Sequence, residues 1–153
     1  MRLCFVCKGN ICRSPVAANM FVRQLSDLGI TEITVTSAGL IDYHAGRPMD
    51  PRSARLLEER GISTEHIARQ VTGDDLTADL LVVMDSSHLS ALTERGVDRD
   101  RVRTLRSFDP EAAGQLDIPD PYYGTPDDFA EMFRLIERAT PGLVRWVTNG
   151  GLR

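Results

Sequence analysis

The chain has 153 residues, 42% of them hydrophobic and 26% charged, and a formal net charge of −4. That is ordinary for a globular protein and enough for a core without disulfide staples, so residues 1–153 are expected to form one domain. The negative balance, with no basic cluster against it, argues against nucleic acid as a partner, and no apolar run reaches membrane-spanning length.

Leu3-Cys4-Phe5-Val6 reads as a strand. It comes too early to leave room for a signal peptide, so a cytoplasmic location is expected, with export by a route lacking such a peptide left open. Next comes Cys7-Lys8-Gly9-Asn10-Ile11-Cys12-Arg13-Ser14-Pro15, then a helical pattern from Val16 to about Leu28 carrying Ala17, Met20, Phe21 and Leu25. A strand that turns through a short loop into a helix aims several backbone N–H groups, and the helix's positive end, at one spot. Gly9 and Asn10 tolerate a left-handed backbone. Arg13 offers a planar fork for two phosphate oxygens. Cys7 would hold its sulfur over these donors, a setting that favours the thiolate and nucleophilic attack. Ser14 suits the helix cap and Pro15 the first helical position. A bare C-x5-R string is weak; the strand before it and the helix opening after it give it weight.

Glu32 to Thr36 alternates as a second strand, and Ser37-Ala38-Gly39 begins a polar loop through Pro51 in which Tyr43, more than His44, is read as lining a site. Asp50-Pro51 opens a helix ending at Gly61. His66 lies in a stretch without period and is read as a hydrogen-bonded structural residue. Ala78 to Met84 is apolar save Asp79, as in a strand buried on both faces. Asp85-Ser86-Ser87 caps a helix to about Arg95, and Val102 to Leu105 is a short strand. The irregular segment from Ser107 to Gly124 holds Asp109, Asp117 and Asp120; loops of this length are usually functional. Asp120, between Pro119 and Pro121 and before Tyr122 and Tyr123, is restricted in direction. Asp127 and Asp128 open a last amphipathic helix that Pro141 is expected to kink or break, and residues 149–153 are expected to fray.

Alternating strands and helices predict an α/β fold, a parallel sheet with helices on both faces and its ligand at the carboxyl ends of the strands. The three cysteines fall within the first twelve residues and make no disulfide framework. Cys4 reads as a small buried hydrophobe. Cys7 and Cys12 have no second pair, and the three histidines are scattered, so no metal site is expected. A sulfur attacking phosphate needs its oxygens neutralised, its leaving group protonated and the intermediate hydrolysed. The loop from Lys8 through Gly9, Asn10, Ile11, Cys12 and Arg13 to Ser14 serves the first, and Asp120 is the candidate acid, then base, for the others. Ser14 could hydrogen-bond the Cys7 thiolate.

Val6-Cys7-x-Gly9-Asn10-Ile11-Cys12-Arg13-Ser14-Pro15 together with Asp120-Pro121-Tyr122-Tyr123-Gly124 resembles the low-molecular-weight protein tyrosine phosphatase family. Thr36-Ser37-Ala38-Gly39, His66-x-Ala68-Arg69-Gln70 and Met84-Asp85 fall where that family has them. The resemblance implies a three-layer α/β sandwich with a four-stranded parallel sheet in the order 2-1-3-4, no cofactor, and a cysteinyl-phosphate intermediate. It implies Cys7 as nucleophile, Arg13 as phosphate clamp, Asp120 as general acid and base, and Ser14 as thiolate partner. It also implies that a polar network including Ser37 and His66 holds Asn10 in a strained conformation. Two departures stand out: Ala18 replaces a common Glu, and Lys8 puts a cation at the mouth of the cradle, favouring acidic peptides. Tyr43, Tyr122 and Tyr123 are expected to wall a slot deep enough for an aryl phosphate, which favours phosphotyrosine over phosphoserine.

Arsenate reductases on this scaffold need further cysteines, and arginine phosphatases carry Thr where Ile11 stands. A non-enzymatic phosphotyrosine binder would be expected to lack Cys7 or Asp120. Cys12, five residues from Cys7, is a candidate redox partner for it; simple packing is the alternative. The partners implied are phosphotyrosine proteins and a cognate tyrosine kinase, for which Tyr122 and Tyr123 are candidate targets, although a role as wall residues alone is the preferred reading of both; no membrane partner is expected, and the chain is expected to be a monomer.

Overall fold

A computed structural model describes residues 1–151. The apolar run at the amino end is the strand on which the rest is stacked. β1 (Arg2–Cys7) pairs in parallel with β2 (Thr34–Gly39) on one side and β3 (Leu80–Val83) on the other, and β3 pairs with β4 (Val102–Thr104). The order is β2-β1-β3-β4, as the resemblance implies. Successive side chains point to opposite faces. Leu3, Phe5, Leu80, Val82 and Met84 enter one core with α1 (Arg13–Asp27), α2 (Pro51–Glu59) and α4 (Pro126–Thr148). Cys4, Val6, Leu81 and Val83 enter a smaller one with Leu92 of α3 (Ser86–Glu94). Helices therefore cover both faces, which is why β1 and β3 are apolar nearly throughout.

Several boundaries differ from the sequence reading, each for a visible reason. α1 begins at Arg13, so Ser14 is not its cap and Pro15 is its third residue; the proline still falls among the first four N–H groups, where none is missed. β2 runs on through Ser37-Ala38-Gly39 because Gly39 is held from both sides. It pairs with Cys7, donates to the Arg69 carbonyl at 2.8 Å and accepts from the Val71 N–H at 2.8 Å. β3 is shorter than the apolar run, whose Asp79 is taken up by the Arg2 N–H at 2.7 Å.

α4 is not broken at Pro141. An internal proline costs a helix about 3 kcal/mol. Here Leu143, Val144 and Val147 beyond it are buried in the main core, and Gly142 lies so close to the Phe108 carbonyl that a Cβ would overlap it. Packing of the last turns outweighs the missing bond. The helix opens with Thr125 and Asp128 bonded reciprocally, with Pro126 in its first turn. At the end of α4 Gly150 turns left-handed (φ 78°) and the Gly151 N–H returns to the Trp146 carbonyl at 2.9 Å, satisfying an end carbonyl. Leu152 and Arg153 lie outside the described residues. Among the described residues no helix is long and apolar enough to cross a membrane.

Candidate active site

The loop between β1 and α1 is shaped by where its carbonyls go. The carbonyl of Cys7 accepts from Leu40 N at 3.0 Å, that of Lys8 from Ile41 N at 3.1 Å, and that of Ile11 from Asp50 N at 2.9 Å. The Ser53 hydroxyl takes the Cys12 carbonyl at 3.3 Å, and His66 Nε2 takes that of Asn10 at 2.6 Å. With its carbonyls tied outward, the loop turns N–H groups inward, and the Asn10 N–H reaches Cys7 Sγ at 3.3 Å. Asn10 alone in the loop is left-handed (φ 60°). Gly9 is needed for space instead, since a Cβ there would stand 3.0 Å from His44 Cδ2.

Asn10 and Ser14 are fully enclosed and build the floor from behind. The Asn10 amide donates to Ser14 Oγ at 2.8 Å and to Ser37 Oγ at 3.1 Å, while its oxygen accepts from Arg69 N at 3.0 Å. Ser14 Oγ in turn lies 3.0 Å from Cys7 Sγ. The His66 ring must donate to a carbonyl, which places its proton on Nε2. Burial lowers its pKa, against the pull of the Asn10 carbonyl.

Arg13 is buried in the first turn of α1. Its Nη1 donates to Asp85 Oδ2 at 2.9 Å and to the Ile118 carbonyl at 2.8 Å; its Nη2 lies 3.6 Å from Asp120 Oδ2 and 3.4 Å from His88 Nε2. Both Nη1 protons are thus committed, leaving the Nε–H and Nη2 side of the fork for a ligand. Asp85 serves twice: Oδ1 caps α3 through the N–H groups of Ser87 and His88, and Oδ2 holds Arg13. Burial opposes ionisation of Asp85, but Ser87, His88 and Arg13 outweigh it and lower its pKa. Asp120 is aimed by its own turn, Oδ1 accepting from Tyr122 N at 3.1 Å.

Of these groups Cys7, Arg13 and Asp120 line one cleft of about 260 Å³, and Asn10, Ser14, His66, Asp85 and His88 support it from behind. Its floor has Cys7, Ile11, Cys12 and Arg13, with Gly9 and exposed Lys8 alongside; its walls have Ile41, Tyr43, His44, Asp120, Tyr122 and Tyr123. Tyr43 (73% exposed) and Tyr123 (96%) stand at the rim, whereas His44 (7%) is enclosed, edge-on to Tyr43 and tilted against Tyr122. His44, less expected at the site than Tyr43, is thus the more enclosed of the two, and Ile41 and His88 join the site without a motif or period to mark them. Asp85 caps its helix as the sequence predicts, and its hold on Arg13 adds a reason for its place in the family pattern. Among the described residues no group of three or more His, Cys, Asp or Glu could hold a metal. Burial above all, then Asp50 and Cys7, raise the Cys12 thiol's pKa.

A sulfur, a guanidinium and a carboxylate converging at the carboxyl end of a parallel sheet equip an enzyme that handles phosphate. The model of the family described as low molecular weight phosphotyrosine protein phosphatase matches residues 2–150, and the chain belongs to that family of protein-tyrosine phosphatases. It is 48% identical over 149 residues to low molecular weight protein-tyrosine phosphatase A of Mycobacterium tuberculosis, covering 96% of this chain and 91% of the relative. The structure of a protein tyrosine phosphatase from Entamoeba histolytica is similar with a TM-score of 0.91, 29% identity and 99% of both chains covered. A drosophila arginine phosphatase is also similar, with a TM-score of 0.87, 25% identity, and 95% of this chain and 96% of that one covered.

Proposed function

We propose that the protein hydrolyses phosphotyrosine in proteins, and small aryl phosphates, through a cysteinyl-phosphate on Cys7. The observation that carries this reading is the 3.6 Å approach of Asp120 to Arg13 over the cleft floor where Cys7 lies. The Cys7 thiolate attacks phosphorus as the bond to the tyrosyl oxygen breaks, and Asp120 gives that oxygen its proton. Inward amides and the free side of Arg13 carry the phosphate oxygens. Asp120, now a carboxylate, takes a proton from water as the water attacks phosphorus and the sulfur leaves. Ser14 Oγ and the Asn10 N–H, at 3.0 and 3.3 Å, steady the departing thiolate. The aromatic walls suit a phenyl ring, and apolar, enclosed Ile11 offers a guanidinium group no hydrogen bond, which favours phosphotyrosine over phosphoarginine.

The test is turnover of an aryl phosphate and a phosphotyrosine peptide beside a phosphoarginine peptide. Wild type is expected to turn over the first two and Cys7→Ser none, with Asp120→Asn slowed about 100- to 10,000-fold. Preference for phosphoarginine, or full activity in Cys7→Ser, would overturn the reading.

A further inference from the structure

His88 is buried beneath Arg13, and the mechanism above makes no use of it. It lies in the first turn of α3, and its Nδ1 accepts the Met84 N–H at 3.3 Å. A neutral imidazole has one lone pair and one N–H, so the Met84 contact assigns the proton to Nε2. Nε2 stands 3.4 Å from Arg13 Nη2 and 3.5 Å from Asp85 Oδ2. An N–H cannot accept from a guanidinium, so it turns to Asp85 Oδ2, the oxygen that already takes Arg13 Nη1 at 2.9 Å. The guanidinium therefore has a carboxylate on Nη1 and a ring edge against Nη2.

We infer that His88 is a positioning residue for Arg13: with Asp85, it holds the fork so that Nε–H and Nη2 face the cleft. The inference rests on the phosphatase reading. Burial first, then the Arg13 cation, bring the imidazole's pKa down to about 4, against the pull of Asp85, Asp120 and Asp117. The ring is thus neutral near pH 7 and sets no second cation against Nη2. Protonated, it would set a cation against Nη2 and turn an Nδ1–H on the Met84 N–H, which would then have no acceptor there.

Three substitutions separate positioning from packing. His88→Gln returns an N–H donor near the place of ring Nε2; His88→Asn can keep only the Met84 contact; His88→Leu keeps neither. Misplacement by about 1 Å can cost on the order of 100-fold in rate. Turnover of an aryl phosphate by Asn and Leu is expected to fall about 10- to 100-fold in kcat/KM, with Gln clearly above both. Affinity for inorganic phosphate, read as the phosphate-induced rise in melting temperature, is expected to follow the same order. A purely structural role would rank the variants by melting temperature, with Asn highest, and leave phosphate affinity unchanged; that result overturns the inference. If Leu fails to fold, the Asn and Gln pair still decides. Phosphate binding needs no turnover, so a wild type that binds phosphate yet hydrolyses no aryl phosphate would sink the phosphatase reading while the His88 comparison still gave an answer.

Discussion

His66 Nε2 lies 2.6 Å from the carbonyl oxygen of Asn10, the one residue of the β1–α1 loop with a left-handed backbone. A side chain on β-carbon makes that conformation costly, and Asn10 is kept there by four contacts: His66 on its carbonyl, Ser14 and Ser37 on its amide nitrogen, and Arg69 N on its amide oxygen. Asn10→Gly keeps the turn and loses the side-chain network, whereas Asn10→Ala loses the network and keeps the strain. Urea unfolding is expected to place Ala below Gly by about 1 kcal/mol. Both should lie about 1–3 kcal/mol below wild type, with kcat/KM on an aryl phosphate reduced in each. An Asn10→Ala variant as stable as wild type would show that the network restrains nothing.

The order of elements, the parallel sheet and the cleft at its carboxyl edge were legible because hydrophobic period and Gly/Pro punctuation are local signals. What was not legible depends on contacts distant in sequence. Ser37-Ala38-Gly39 reads as loop by composition and becomes strand because it pairs with Phe5, Val6 and Cys7 of β1 and residues 69–71 close on Gly39. Pro141 reads as a breaker, and burial of the turn beyond it wins. His88 and Asp85 sit 75 and 72 residues from Arg13, and no spacing rule links a helix start to a guanidinium so far back. His44 was ranked low because an isolated histidine in a loop carries no period; its enclosure comes from Gly9 and two tyrosines.

Lys8 lines the cleft, is exposed, and makes no ion pair among the described residues, whereas Arg13 is bound to Asp85. It is therefore the cation available to a residue flanking the phosphotyrosine. Exposed pairs of this kind contribute about 0.2–1 kcal/mol. Wild type is expected to prefer an acidic over a basic phosphopeptide by up to about fivefold in kcat/KM, Lys8→Glu to reverse that preference, and added salt to flatten both. Equal selectivity in the two proteins would remove Lys8 from recognition.

We propose that Cys12 acts as a slow redox partner for Cys7, because its thiol is enclosed and its pKa raised. Closing a disulfide on a Cys7 sulfenic acid requires the Cys12 thiolate, with the sulfenic oxygen leaving as water. Below the pKa the thiolate fraction grows tenfold per pH step, so after a short peroxide pulse the disulfide should form about ten times faster at pH 8 than at pH 7. Thiol should then restore wild type and not Cys12→Ser. Equal recovery of both would leave Cys12 as packing only.

Folding stability between pH 7 and pH 4 should be governed by the two histidines whose protonation burial opposes. His88 and His66 have pKa values lowered from 6.5, His88 to about 4. The unfolded chain therefore takes up protons that the native state refuses, and stability falls as pH drops below 6.5. For His88 the gap amounts to about 3 kcal/mol, lost progressively down to pH 4; His66 adds in the same direction. Asp50, Asp75 and Asp85 act lower down. Burial raises each, but Arg52, Arg69 with Thr72, and Ser87 with His88 and Arg13 respectively bring each below 3.8, so what they contribute persists until the pH passes under that value. Urea unfolding at pH 7, 6, 5 and 4.5 should give a steady decline for wild type and a shallower one for His88→Gln, which has no proton to gain there. A wild type equally stable across that range, or a variant with an unchanged slope, would mean that His88 is not held neutral against Arg13.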